Sequence, residues 1–468
     1  MNKIVKIPKT LSVFTLAMIN VAAIGSVKNW PFTAELGFSS MFYFILAALL
    51  FFFPVSLVSA ELATGWPKRG GVYLWVVEAF GTKWGFLAVW LQWIENVVWY
   101  PTILSFAAAT VAYIFNPDLA ANTTYTIAVV LCIFWGATIA NCFGMKTSGW
   151  VSNVGAICGT LIPGTLIILL GAYWIIEGAP LQIDFTAKAF FPDFNLSSMV
   201  LFTGVMLAFA GMEMSAVHAL DVRNPQRDYP KAILLSVALI LGLSVLGVLS
   251  IASVVPNSEI SLTAGTMQAF TVFLSKYNLK ALIPIVALLM AAGLFGSVST
   301  WIIGPSKGLL AAGLEGNLPP VFHKTNRHGA PIALLLAQGI IASILTMMFL
   351  LMPTVSSGFW ILTVLVAQLY LIMYVIMLAA GLKLRYSQPN LDRPYKIPGG
   401  KVAMWVICGL GILASLFALF IGYIPPDQIE IGNKSFYTGF LIGGTVLGCV
   451  APFLILFFKK PTWAKATK

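Results

Sequence analysis

Long apolar stretches alternate with short polar segments along nearly the whole chain. About 20 consecutive apolar residues in a helix cross a bilayer core, and on this criterion the chain has twelve candidate spans. They lie at about 12–36, 40–64, 84–114, 124–143, 150–176, 197–219, 231–255, 281–311, 331–352, 358–382, 402–423 and 436–458. A shorter stretch at 264–276 is typical of a helix at the membrane interface. The pattern predicts an all-α polytopic membrane protein.

The composition agrees with this prediction. Hydrophobic residues make up 59% of the 468 residues and charged residues 9%, whereas about a quarter of a soluble domain is charged. The net charge of +11 does not indicate nucleic acid, because lysine and arginine cluster in the short segments between spans. If the N-terminus is in the cytoplasm, four of the 27 basic residues lie in loops on the opposite side of the membrane: Lys188, Lys276, Lys280 and Lys434. Because basic residues are concentrated in cytoplasmic loops, this distribution predicts that both termini are cytoplasmic.

The chain offers little for enzymatic chemistry. No segment between predicted spans is long enough for a soluble domain, and no GxxxxGK[ST] loop is present to bind ATP. No grouping of a nucleophile with a base, and no cluster with metal-ligand spacing, is visible. His323 and His328 are interpreted as solvated loop residues, and His218 lies at the end of the sixth span. We therefore predict a protein that is not an enzyme and that has no cofactor and no metal.

Two of the predicted spans are interrupted. The first contains Gly25-Ser26 and then Lys28, and the sixth contains Gly211 followed two residues later by Glu213. A single glycine of this kind is most often a packing residue. Two glycines beside charges, five spans apart, are instead typical of a transporter built from inverted five-helix repeats with broken helices. The exposed N–H and C=O groups of such breaks can bind the two charged ends of an amino acid.

Charged residues inside the spans are candidates for function, because burying them in hydrocarbon is costly. Glu95 and Glu213 lie in mid-span, and Lys28 is predicted to pair with one of them. The other carboxylate is then available to carry a proton or to contact substrate. Glu35 and Glu61 lie near the ends of spans and are predicted to reach interfacial water.

Aromatic side chains are a further set of candidates, because rings can close over a bound substrate. The alternative is a place in the interfacial aromatic belt or in packing between helices. The candidates are Trp30, Trp93, Trp99, Trp301, Phe209, Tyr370 and Tyr374.

Four motifs resemble those of one transporter family. They are GMEMSAVHALDVRNPQRDYPKA from residue 211, STWIIGPSKGLL at 299–310, RPYKIPGG at 393–400 and FFPDF at 190–194. Together they resemble the bacterial glutamate/γ-aminobutyrate antiporter group of the amino acid–polyamine–organocation superfamily, over residues 10–460.

The resemblance implies a LeuT-type fold of twelve transmembrane helices, with helices 1 and 6 unwound at mid-membrane. The single transporter domain then comprises a first five-helix repeat at 10–177, an inverted repeat at 196–386, and helices 11 and 12 at 402–458. It also implies a multi-pass protein of the bacterial inner membrane. Carried over by motif, with the mid-span Glu95 added, the substrate-binding candidates are Gly25, Ser26, Asn29, Glu95, Phe209, Gly211, Glu213, Trp301, Tyr370 and Tyr374. Candidates for coupling and charge pairing are Lys28, Glu95 and Glu213.

This chain also departs from that group. Lys28-Asn29-Trp30-Pro31 stands where the group has Tyr-Glu-Tyr-Pro, Ser297 replaces an acidic residue, and Glu95 replaces a neutral one. We expect no counterpart of the long C-terminal plug that closes the inner vestibule in the group. The resemblance implies an antiporter that exchanges an amino acid for a related amino acid or for its decarboxylation product by alternating access. A proton-coupled symporter is the alternative, a channel or sensor is less favoured, and either a monomer or a homodimer is compatible with the sequence.

Overall fold

The structure, a computed structural model, describes residues 11–66, 70–143, 157–192, 194–215 and 224–463. The regular structure of these residues is helical. The helices in chain order are α1 (Val13–Ile24), α2 (Trp30–Ala34), α3 (Gly37–Gly65), α4 (Val72–Phe80), α5 (Thr82–Phe115), α6 (Thr123–Cys142), α7 (Ile157–Ile176), α8 (Leu201–Leu207), α9 (Met212–Ser215), α10 (Pro225–Ala252), α11 (Gly265–Lys276), α12 (Ile283–Ala312), α13 (Ile332–Leu351), α14 (Val355–Ser387), α15 (Gly400–Ile421) and α16 (Lys434–Phe457).

Ten of these helices are long and apolar enough to cross a membrane: α3, α5, α6, α7, α10, α12, α13, α14, α15 and α16. Each coincides with a predicted span, so these ten predictions are confirmed. The two other predicted spans, 12–36 and 197–219, are broken into shorter helices. The total of twelve therefore stays a prediction, as does the division into inverted repeats.

The first break lies between α1 and α2. Gly25 and Ser26 are extended, and residues Val27–Asn29 form a single tight turn before α2 begins at Trp30. A Cβ at Gly25 would lie 2.6 Å from the carbonyl oxygen of Val21, so the chain can leave the helix here only because this residue is glycine.

The second break lies between α8 and α9. Gly211 has a φ of 119°, a conformation that residues with a side chain rarely adopt. A Cβ built on it would lie 3.5 Å from Ile24, the last residue of α1. The two broken segments are therefore neighbours at their interruptions.

The helices α5 and α14 form the centre of the protein. Of their most apolar windows, 78% and 83% of the residues are buried, whereas no other span exceeds 61%. The two helices pack against each other, and α5 also packs against α12. Buried polar side chains on these two helices consequently face protein rather than lipid.

The ring of Trp30 fixes α2 against two neighbouring helices. A Cβ on Gly247 of α10 would lie 2.5 Å from this ring, and one on Gly164 of α7 would lie 2.9 Å from it. Small residues that admit a large side chain are a common means of close helix packing in membranes. Trp30 thus packs between α2, α7 and α10.

Glu61 does not reach water, so the prediction for it is wrong. Its side chain is 3% exposed, and both carboxylate oxygens accept from Nη1 of Arg385 at 2.6 Å. Nη1 of Arg393 lies 3.3 Å from Oε1, and the backbone N–H of Ile397 donates to Oε2 at 2.9 Å. This cluster attaches the loop after α14 to the end of α3.

The stretch predicted at 264–276 forms α11, while its position at the membrane interface stays a prediction. The last residues of α11 contact the end of α7. Lys276 and Tyr277 both donate to Oε2 of Glu177 at 2.9 Å, and these hydrogen bonds lower the pKa of the Glu177 carboxyl. The helix α4, nine residues long, has no counterpart among the predictions.

Candidate functional site

Glu213 is the best connected of the predicted site residues. It is 2% exposed and lies in α9, directly beyond the break at Gly211. The hydroxyl of Tyr370 donates to Oε1 and that of Tyr374 donates to Oε2, each at 2.5 Å. Gln92 of α5 donates a longer bond to Oε1, 3.3 Å. The structure thus brings together residues of α5, α9 and α14 around one carboxylate.

Tyr374 also holds the unwound backbone. Its hydroxyl accepts from the N–H of Gly211 at 2.7 Å while donating to Glu213. The ring of Tyr370 stacks on that of Tyr374, with 4.8 Å between centroids. A shift of the Glu213 carboxylate therefore also affects the hydrogen bond between the Tyr374 hydroxyl and the backbone N–H of Gly211.

Glu95 lies one helical turn beyond Gln92 on α5. It is 3% exposed, and Oε1 accepts from the side chain of the adjacent Asn96 at 2.9 Å. Glu95 also interacts electrostatically with Glu213 and with Lys28 at longer range. The structure therefore places both mid-span carboxylates in one interior region.

Lys28 enters the same interior from the first break. It is 1% exposed, and Nζ donates to Oγ1 of Thr102 at 2.9 Å. The rings of Trp99 and Phe359 lie 5.6 Å and 5.4 Å from Nζ. Lys28 is thus hydrogen-bonded to a threonine hydroxyl and does not form the predicted ion pair with Glu95 or Glu213. The ion pairs found among the described residues involve other side chains. A role of Lys28 in coupling stays a prediction.

The remaining residues of the first break show how its polar groups are used. Gly25 and Ser26 are half-buried, and the backbone N–H of Gly25 donates to Val21 at 2.8 Å. The carbonyl of Asn29 accepts from Thr33, whereas its buried side-chain Oδ1 has no hydrogen-bond partner. Buried polar atoms are nearly always paired in folded proteins, so this oxygen is available to a ligand or to water.

The aromatic candidates fall into two groups. Trp301 of α12 belongs to the site, because its ring lies 5.9 Å from that of Trp99 and its carbonyl accepts from Tyr100 at 2.8 Å. The second group packs against other rings: Phe209 stacks on Phe52 of α3, with 4.9 Å between ring centroids. Trp93 packs against Trp90 at 5.2 Å.

The histidines do not join this region. His218 lies outside the described residues. His323 is buried and its Nε2 bonds the carbonyl of Leu318 at 2.9 Å, so its interpretation as a solvated residue is wrong. His328 is hydrogen-bonded to Arg327 at the surface. Within the described part of the chain no group of His, Cys, Asp and Glu could hold a metal.

The residues of the site that were not among the candidates include Gln92, Thr102 and Phe359. The spacing of Gln92, Glu95, Trp99 and Thr102 places them along one face of α5, since residues three and four apart share a helix face. A polar stripe at that spacing within an apolar span is a pattern from which Gln92 and Thr102 could have been found. Phe359 is ordinary in an apolar helix, and no such pattern marks it.

Comparison with known proteins agrees with the helical membrane fold. Residues 9–446 match the model of the amino acid permease family. An uncharacterized transporter of Legionella pneumophila is 48% identical over 453 residues, covering 97% of each chain. A glutamate/gamma-aminobutyrate antiporter of Lactococcus lactis is 34% identical over 459 residues, covering 96% of this chain and 90% of its own. A probable agmatine/putrescine antiporter of the same species is 25% identical over 84% of this chain and 83% of its own.

These relatives are transporters rather than enzymes. The family model spans almost the whole chain, and the ten long apolar helices are those of a protein that crosses the membrane many times. The chain is therefore a membrane transporter of amino acids, and it belongs to the amino acid permease family.

Proposed function

We propose that this protein is an antiporter that exchanges amino acids by alternating access. The observation that carries the proposal is the buried carboxylate of Glu213, which is hydrogen-bonded to Tyr370 and Tyr374 directly beside the break at Gly211. Two relatives of this chain carry names of antiporters, one for glutamate and γ-aminobutyrate and one for agmatine and putrescine. Glutamate and γ-aminobutyrate are an amino acid and its decarboxylation product, which supports exchange of such a pair here.

The arrangement suits a substrate with an amino group. The carboxylate of Glu213 offers acceptors to a substrate ammonium, and that contact competes with the hydrogen bonds from the two tyrosines. Because Tyr374 also accepts from Gly211, displacement of its hydroxyl alters the backbone of the second break. Substrate binding is thereby linked to the conformation of the broken helix.

Exchange follows from the energetics of the empty site. The buried carboxylate of Glu213 is unfavourable without a counter-ion. An empty carrier that switches between its inward-facing and outward-facing states carries this unfavourable charge with it. A bound substrate offsets it in both directions of transport. Proton-coupled uptake is the second candidate, favoured by the burial of Glu95 and Lys28 without an ion pair within the described residues.

Transport into proteoliposomes tests the proposal. Purified protein is reconstituted, and uptake of each labelled amino acid is compared between vesicles preloaded with amino acids or amines and empty vesicles under a proton gradient. Exchange predicts rapid uptake into loaded vesicles alone. Equal uptake into empty vesicles would show a symporter, and no uptake of any amino compound would refute amino-acid transport.

The variant Glu213→Gln tests the assigned residue. It keeps the shape of the side chain and removes its charge, so we expect exchange to fall about 100-fold or more, in the range found when a buried charged contact is lost. The control is Glu177→Gln, a carboxylate half-exposed at the end of α7. If Glu213→Gln exchanged as fast as the control, the carboxylate would have no part in transport.

We also propose that the protein lies in a bacterial inner membrane with both termini in the cytoplasm, as the distribution of basic residues predicts. Cysteine substitutions at Lys434 and at Lys324 test this topology. A membrane-impermeant thiol reagent added to whole cells is expected to label position 434 and not position 324. The reverse labelling would show the opposite orientation.

A further inference from the structure

Lys28 has hydrogen-bonding capacity that the protein leaves unused. An ammonium group has three N–H donors, and Nζ of Lys28 makes one hydrogen bond, to Thr102. Its flanks face the rings of Trp99 and Phe359. Of the described carboxylates, Glu95 interacts with it electrostatically without reaching ion-pair distance. Two donors of a fully buried cation therefore have no acceptor among these residues.

A buried cation of this kind is costly to keep. An ammonium loses strong hydration when it is buried, and two rings at more than 5 Å together with one hydroxyl offset only part of this loss. A buried hydroxyl on the helix that carries Phe359 also has no hydrogen-bond partner. It is Oγ1 of Thr363, one turn from Phe359 on α14, and it can donate to an anion. The surroundings of Lys28 are those of a site for a polar, anionic group.

The spacing along α5 indicates the approximate size of a ligand that would span the two sites. Thr102, which holds Lys28, lies seven residues from Glu95 on the same face, and at 1.5 Å per residue this is about 10 Å along the axis. Three carbons between an amino nitrogen and a carboxylate carbon place these atoms on the order of 5 Å apart. Charge-assisted hydrogen bonds of about 2.8 Å at each end bring the total to about 10 Å.

From these observations we propose that Lys28 is the specificity-determining residue of the transporter and binds a substrate carboxylate that is separated from the amino group by an alkyl chain. The proposal rests on the proposed exchange of amino acids at Glu213. The amino group is placed at the carboxylates of Glu95 and Glu213, and the distant carboxylate at Lys28. A diamine of the same length would place a second ammonium against Lys28 and is therefore excluded by like-charge repulsion.

A matched pair of probes isolates this contact. γ-Aminobutyrate and its amide, γ-aminobutyramide, have the same amino group and chain, and they differ only in the group that would meet Lys28. Competition of each probe against the labelled substrate is measured in the exchange assay for wild type, Lys28→Met and Lys28→Arg. Lys434→Met is the control, because this lysine is an exposed one, with 69% of its side chain accessible.

We expect wild type to prefer the acid to the amide by about 30-fold or more, the loss that accompanies truncation of one partner of a buried charged pair. Lys28→Arg and the control are expected to keep most of this preference, and Lys28→Met to reduce it to near one. A wild type that binds the amide as well as the acid, or a Lys28→Met variant that keeps the preference, would overturn the proposal.

A second variant separates recognition of substrate from balance of internal charge. If Lys28 served only to neutralise Glu95, the double variant Lys28→Met/Glu95→Gln would regain the preference for the acid, and this result too would overturn the proposal. We expect no recovery. Wild type that exchanges other amino acids but neither γ-aminobutyrate nor glutamate would refute the role of Lys28 and leave exchange intact. Absence of exchange with every amino compound would refute the proposed function itself.

Discussion

The buried cluster around Glu61 leads to a quantitative prediction for stability. Replacing Glu61 by Gln keeps the size of the side chain and removes the single negative charge that faces Arg385 and Arg393. Both guanidinium groups are at most 5% exposed, so water does not replace the lost counter-ion. The variant therefore leaves two like charges facing each other inside the protein.

The magnitude follows from the contacts. Breaking a buried ion pair by removing one partner costs about 3–5 kcal/mol, chiefly because an uncompensated charge stays buried. Arg393 keeps part of its environment, since Nη2 still donates to the carbonyls of Leu384 and Gln388 at 2.9 Å. Arg385 retains contacts from Nη2 alone, to the carbonyls of Ile397 and Gly400. We therefore expect about 3–5 kcal/mol in the free energy of unfolding, arising mainly from Arg385.

The assay is denaturation of purified protein in detergent, followed by tryptophan fluorescence, with wild type and variant at equal protein concentration. The matched control is Asp427→Asn, which breaks an exposed ion pair with Lys434 and should change stability by less than about 1 kcal/mol. If Glu61→Gln unfolded at the same denaturant concentration as the control, the cluster would not stabilise the fold, and the reasoning from burial would be wrong.

Two further predictions concern the helix interfaces and the site. Gly247→Ala is expected to lower the free energy of unfolding by about 1–3 kcal/mol, because the added methyl group overlaps the ring of Trp30. The control is Gly242→Ala on the same helix, whose methyl group meets open space and should be neutral or slightly stabilising in the same unfolding assay. Tyr374→Phe is expected to slow exchange about tenfold without loss of folded protein, because one hydroxyl both donates to Glu213 and accepts from the second break; an unchanged exchange rate would show that this link plays no part in transport.

Most of the helices could be predicted from hydropathy, because a span must be apolar over the thickness of the bilayer. Hydropathy identifies only the part of a helix that lies in lipid. The span predicted at 358–382 belongs to α14, which begins at Val355 and continues to Ser387 with a basic residue in its last turn. The nine-residue helix α4 is too short for the criterion and was therefore missed.

The candidate site was predicted less completely, for a physical reason. The positions of the two breaks could be found because glycine, proline and charges interrupt an apolar sequence. The partners of the buried charges could not, since they come from distant parts of the chain. Arg385 is 324 residues from Glu61, and Thr102 is 74 residues from Lys28. A charged side chain near the end of a span, such as Glu61, can contact either water or another helix. The local sequence does not distinguish the two, so the buried partner could not be predicted.

The polar face of α5 has a consequence for how the range of substrates in this family can change. Glu95 and Thr102, the hydrogen-bond partner of Lys28, stand on this one helix. Under the proposed binding mode, the distance between the two charged anchors therefore depends on the number of turns between these residues and not on the flexibility of a loop. Moving the contact of Lys28 by one turn along α5 would change that distance by about 5.4 Å, the length of roughly four bonds in an alkyl chain. Transporters of longer or shorter substrates could therefore arise from single substitutions on a helix whose backbone does not move.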